Sequence, residues 1–257
     1  MRKGWIGMKQ EIRGGQEVTG VFLSEIAAPN LLRLMQASGL DYVIVDCEHG
    51  YFDYSQVAAL AAVGNGIHFP VIVRIPSVAR DCIQKYLDAG VDGLLVPMLE
   101  TKEQARMLVR YGKYAPEGKR GISTMRPHSN YNPGSLQEYT SAANGRIMLF
   151  AQIETQKGVD NIGDIVSVPG LDGIFIGPND LACDLGTMGD FSTPAMERCI
   201  STVIEESKKA GLPSGIITSK TELIKQCRCK GMTMFSCDSE LGLLKKGILE
   251  MRKRSQG

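Results

Sequence analysis

The chain has 257 residues, 22% charged and 43% hydrophobic, an ordinary globular composition with room for one large domain or two small ones. With 29 Lys and Arg against 28 Asp and Glu, the net charge is +1, which argues against a nucleic-acid partner, since such binding calls for a basic patch. The seven cysteines (47, 82, 183, 199, 227, 229, 237) are odd in number and scattered, so a disulfide scaffold is not expected and the setting reads as cytoplasmic. The basic opening MRKGWIGMKQEIRGG lacks the apolar centre of a secretory leader, and no apolar run is long enough to cross a bilayer.

In chain order, residues 1–17 read as a helix or extension whose charges are solvated. Apolar strand runs follow at Val18–Leu23, Tyr42–Asp46, Val71–Ile75, Gly93–Pro97, Ile147–Ile153, Gly173–Ile176, Ser214–Thr218 and Thr233–Cys237. They are mostly continuous rather than alternating, as parallel strands buried on both faces should be. Helical patterns come after them, at Asn30–Ser38, Tyr54–Gly64, Arg80–Ala89, Lys102–Tyr111, Val159–Val166, Pro194–Ala210, Lys220–Lys230 and Glu240–Arg252. Several end on a glycine suited to the helix C′ position. Eight βα units in 257 residues predict an α/β fold, a single-domain (βα)8 TIM barrel. The open doubly wound sheet is the alternative, but no Gly-x-Gly-x-x-Gly fingerprint is present. Residues 112–146 fit neither pattern and read as a long connection. Residues 239–257 read as a C-terminal helix.

A TIM barrel carries its active site at the C-terminal ends of its strands. Those ends here hold Asp46, Glu48 and His49, then Arg74, then Gln152 and Glu154, then Asn179 and Asp180, and finally Asp238. Charges in apolar runs are costly unless paired or bound to a metal. Glu154 and Asp180 follow adjacent strands, and two such carboxylates with waters make a site for a hard divalent cation. Asp180 reads equally well as a helix cap or first-turn acid. His49 suits a general base, and Arg74 a carboxylate clamp or a partner for an acid of the protein. GKRG at 118–121 reads as a turn or as an anion cradle. Cys227 and Cys229 are plain thiols, and His68 faces the far end of the barrel. No lysine stands at a strand end where Schiff-base chemistry would need it.

Taken together, DYVIVDCEHG, VIVRIP, LDAGVDGLLVPMLETKEQA, PEGKRG, QIET and GLDGIFIGPNDLACDLG resemble the signature stretches of the HpcH/HpaI aldolase family across roughly residues 18–245. The resemblance implies a class II aldolase that joins a pyruvate enolate to an aldehyde, or cleaves the 4-hydroxy-2-oxo acid product. It implies a divalent metal (Mg²⁺, Mn²⁺ or Co²⁺) held by Glu154 and Asp180. It further implies Arg74 on the substrate carboxylate, His49 as base oriented by Asp88, Gln152 in support, and backbone amides of Asn179 and Asp180 on the substrate. A homo-oligomer is implied as well, commonly a hexamer with a swapped C-terminal helix. GYFDYS departs from the proline-containing loop of many members, so aldehyde choice does not carry over. A related lyase or condensing enzyme for oxaloacetate or a CoA thioester, and a non-catalytic oxo-acid-binding barrel, are the alternatives.

Overall fold

The computed structural model describes residues 6–256. Its eight parallel strands close into a barrel in chain order: β1 Val18–Leu23, β2 Tyr42–Asp46, β3 Val71–Arg74, β4 Gly93–Val96, β5 Met148–Ile153, β6 Gly173–Ile176, β7 Ser214–Ile217 and β8 Met234–Ser239. β8 pairs back onto β1, Val18 opposite Met234, so the sheet has no open edge. The expected (βα)8 TIM barrel is what the chain forms. β3 ends one residue earlier than expected, so Arg74 is its last residue, and β8 runs two residues further, which puts Asp238 inside the strand.

The helices are α1 Ile6–Arg13, α2 Leu31–Ala37, α3 Tyr54–Ile67, α4 Arg80–Asp88, α5 Lys102–Gly112, α6 Leu136–Arg146, α7 Gln156–Asp160, α8 Ile162–Val166, α9 Pro178–Asp184, α10 Pro194–Lys209, α11 Thr221–Cys229 and α12 Glu240–Gln256. Capping boxes start two of them, Asp53 with Gln56 at α3 and Thr101 with Gln104 at α5. The long connection contains α6, which the sequence pattern missed, and the stretch Val159–Val166 is two short helices that meet at Asn161.

Strand residues that look uniformly apolar in sequence divide by parity. Val43, Val45, Val71, Val73, Leu94, Leu149, Ala151 and Ile174 pack outward under the helices. Phe22, Tyr42, Ile44, Ile72, Leu95, Phe150, Phe175 and Met234 fill the barrel. Each such side chain contributes about 2–3 kcal/mol by burial. Gly20 makes room for this layer, because a Cβ there would run into the Tyr42 ring. The same parity, two residues further on, turns Asp46, Arg74 and Gln152 into the barrel at its C-terminal end.

The first helix closes the opposite end. Met8 and Ile12 join the interior cluster. Lys9 was expected to be solvated, but it is buried: its Nζ donates to the Ile147 carbonyl at 2.9 Å and pairs with Asp172 at 2.9 Å. Arg13 reaches the same carboxylate at 2.9 Å. Amphipathic placement over the barrel floor explains the difference, since a floor built of strand starts offers free carbonyls and Asp172 as partners. The expected helix from residue 1 is described only from Ile6 onward, residues 1–5 lying outside the described residues.

Candidate active site

Asp46 and Arg74 stand directly opposite in the β2–β3 register. Arg74 Nε donates to Asp46 Oδ1 at 2.9 Å and Nη2 to Oδ2 at 2.6 Å, a bidentate fork. Phe22 of β1 lies against the guanidinium, its ring centroid 4.8 Å away. Asp46 Oδ1 also accepts the N–H groups of Glu48 at 3.1 Å and His49 at 3.3 Å, which shapes the turn after β2. Glu48 Oε2 then sits 3.3 Å from Arg74 Nε and 3.9 Å from His49 Nε2. Burial pushes the Glu48 carboxyl above its usual range, against the pull of Arg74 and His49. The His49 imidazole is open to solvent, its side chain 70% exposed.

Across the mouth, Glu154 is 2% exposed. Its Oε1 accepts the Met98 N–H at 2.7 Å, and its Oε2 accepts a hydrogen bond from Gln152 Nε2. Gly177 backs this pair, since a Cβ there would collide with Glu154 Oε2 and Gln152 Nε2. Burial lifts the Glu154 carboxyl to about 7 against those two hydrogen bonds, and the Asp180 and Glu48 charges push the same way. Asp180 is the first-turn acid of α9, and both it and Asn179 are exposed at the mouth. Asp180 thus opens a helix, at the same end of the barrel as Glu154 and near enough for its charge to act there. The first N–H groups of α9 have no partner within the helix, which suits an anionic substrate group.

A divalent cation fits these residues. The hydrogen-bond donors on the buried Glu154 carboxylate are neutral, the Asp180 carboxylate is near enough for its charge to act on it, and Gln152 Oε1 is buried without a hydrogen-bond partner among the described residues. No three His, Cys, Asp or Glu side chains cluster as a metal cage among the described residues, so a cation on Glu154 and Asp180 would draw its other ligands from substrate and water.

The structure thus brings Arg74, Gln152, Glu154, Asp180, Asn179 and His49 to one end of the barrel. Asp88 is elsewhere. It ends α4, the helix that returns to the start of β4, and there it pairs with Arg120 at 2.6 Å and His128 at 3.5 Å. Arg120 lies over the Tyr114 ring at 4.7 Å. Within this chain Asp88 does not contact His49. GKRG follows the turn at 115–117 and folds back onto the end of α5, with the Arg120 N–H on the Lys113 carbonyl at 2.8 Å. Cys227 is buried and Cys229 exposed, both as free thiols. Asp238 is taken up by Lys246 of α12 at 2.5 Å.

Three contributors were not singled out from sequence. Phe22 is an ordinary strand residue until Arg74 lies on it. Met98 acts through its backbone. Glu240 is buried, and its Oε1 accepts the N–H groups of Ser24 and Glu25 at 2.7 Å and of Ile26 at 3.2 Å, which fixes the loop after β1. An acid immediately after a strand, as in Ser239-Glu240, is the signal that could have found it.

The sequence matches the profile of the HpcH/HpaI aldolase/citrate lyase family over residues 19–246. It is 32% identical to a hydroxypyruvate/pyruvate aldolase of Roseovarius nubinhibens, over 92% of this chain and 91% of that protein. It is 34% identical to a 5-keto-4-deoxy-D-glucarate aldolase of Klebsiella pneumoniae, over 88% of each chain. The crystal structure of an HpcH/HpaI aldolase from Desulfitobacterium hafniense superposes with a TM-score of 0.92 at 30% identity, covering 97% of this chain and 96% of the other.

Proposed function

The chain belongs to the HpcH/HpaI aldolase/citrate lyase family, and from that premise we propose that it uses a divalent metal to make or break the bond between a pyruvate enolate and an aldehyde. It is a carbon–carbon lyase. The observation that carries the metal reading is the buried Glu154 carboxylate, hydrogen-bonded among the described residues only by neutral donors and near enough to Asp180 to feel its charge.

Glu154 and Asp180 would hold the cation, which when bound supplies Lewis-acid polarisation of the substrate carbonyl. Arg74 is held rigid by Asp46, which uses two of its five N–H groups and leaves the others to grip the carboxylate of a 2-oxo acid. That grip fixes the methyl group for His49 Nε2 to take its proton, directly or through a water. The positive charge of Arg74 also steadies the enolate oxygen as it develops charge. Glu48, between Arg74 and His49, neutralises the imidazolium once it forms. The first-turn amides of Asn179 and Asp180 complete the carboxylate pocket. The exposed row Leu244, Ile248 and Met251 on α12 supports association of copies through that helix, as the resemblance to hexameric members implies.

The test is deuterium exchange at the pyruvate methyl. With Mg²⁺ or Mn²⁺ the wild type should exchange, and chelation should stop it. Glu154→Ala should abolish metal-dependent exchange, and His49→Ala should slow it about 10²–10⁴-fold. Full exchange by Glu154→Ala would sink the metal site, and an unchanged rate in His49→Ala would remove the base.

A further inference from the structure

Among the described residues, four that are not glycine have positive φ: His68, Met98, Asn130 and Tyr131. His68 and Asn130 cap helix ends, and Tyr131 follows Asn130. Met98, at φ 50°, is the one at the mouth, directly after β4 and Pro97. A methionine has no side-chain device that favours this left-handed conformation, so its surroundings must enforce it.

The hydrogen bonds around it show what does. Pro97 has no N–H with which to extend the ladder to β5. The next N–H, that of Met98, goes instead to Glu154 Oε1 at 2.7 Å. The Met98 carbonyl accepts Gln104 Nε2 at 3.4 Å, and the Leu99 N–H returns to the Gln152 carbonyl at 3.2 Å. Glu100 fastens the same loop: its carboxylate accepts from Thr155 Oγ1 at 3.0 Å and Lys157 Nζ at 2.8 Å, and its carbonyl accepts from Asn161 Nδ2 at 2.9 Å. Residues 98–100 are thus stitched to the segment that carries Glu154, and a single left-handed residue turns one amide onto the carboxylate.

We propose that Met98 is a positioning residue whose left-handed backbone aims its N–H at Glu154 Oε1 and so sets the rotation of that carboxylate toward the cation. The side chain is incidental to this function. The inference rests on the metal reading above, and it concerns how this chain orients the ligand rather than which ligand it is.

Mn²⁺ affinity, read by electron paramagnetic resonance titration, separates the two. Met98→Gly tolerates the conformation and should bind Mn²⁺ as the wild type does. Met98→Val carries a β-branch that resists positive φ and should bind about 10-fold more weakly, the usual lower limit for loss of a ligand-orienting partner. The rise in melting temperature on adding Mn²⁺ should shrink in the valine variant, whereas a merely structural defect would lower the metal-free and metal-loaded forms alike. Should the valine variant not fold, Gln104→Ala, which frees the Met98 carbonyl, should also weaken Mn²⁺ binding. Wild-type affinity in Met98→Val or, if that variant does not fold, in Gln104→Ala overturns the proposal, as does equal loss in the glycine and valine variants. If wild type and Glu154→Gln bind Mn²⁺ alike, it is the metal reading itself that fails.

Discussion

Glu154 is held near neutrality by its burial, and that has a measurable consequence. With a carboxyl raised to about 7, the folded protein without metal keeps a proton that the unfolded chain loses near its ordinary 4.5. Between those values the folded state binds more protons, so this residue's contribution to stability declines as pH rises through the window. A cation needs the ionised form. Mn²⁺ binding below pH 7 should therefore release a proton, and affinity should climb with pH and level off above 7. Calorimetry in two buffers of different ionisation enthalpy reads the proton directly, and a pH-independent affinity would contradict the assignment. Arg74 and Glu154 were legible in the sequence because a charge inside an apolar run demands a reason. Met98 was not, because nothing in a methionine side chain announces a left-handed backbone. Asp88 was legible only as a helix-end acid. Its pairing with Arg120 depends on where the long connection folds, which periodicity does not encode.

At the scale of elements, the strands were readable because parallel β-sheet buries both faces, which leaves continuous apolar runs. Two helices were not. α6, LQEYTSAANGR, buries only Ala143 and Asn144 and so has almost no apolar stripe to detect. α9 has seven residues, too short for a periodicity to register. Polar contacts hold α6: Asn144 exchanges two hydrogen bonds with the Tyr114 backbone, and a buried lysine adds two more. Lys113, 1% exposed at the end of α5, donates to the Asn144 carbonyl at 2.7 Å and the Ile147 carbonyl at 2.6 Å. Burial pulls its ammonium down to about 7, against the attraction of Asp172. A base lowered in the folded state costs stability while it is charged, a cost relieved as pH rises from about 7 toward 10.5. Lys113→Ala should lose about 2 kcal/mol in urea denaturation, mainly through the orphaned Asn144 carbonyl. An unchanged midpoint would mean that the Asn144–Tyr114 and Arg146–His128 hydrogen bonds hold α6 without it.

For the molecule as a whole, the two ends of the barrel have separate tasks. The C-terminal end gathers the site, while the floor carries the long connection, the Asp88–Arg120–His128 cluster and the first helix. On the outside, α12 shows Leu244, Ile248 and Met251 to solvent at helical spacing. If copies associate through this row, Leu244→Glu with Ile248→Glu should reduce the sedimentation coefficient to that of a smaller assembly without loss of the circular-dichroism spectrum. An identical coefficient would place the contact elsewhere.

The floor also sets a timetable. Lys9 meets the Ile147 carbonyl across a sequence separation of 138, and Arg13 meets Asp172 across 159. The first helix is made well before Ile147 and Asp172, the polar partners of Lys9 and Arg13. At about 5–20 residues per second, Lys9 and Arg13 wait roughly 7–30 s for these two partners. The floor is thus fastened by contacts that form only once the later half of the barrel has been made.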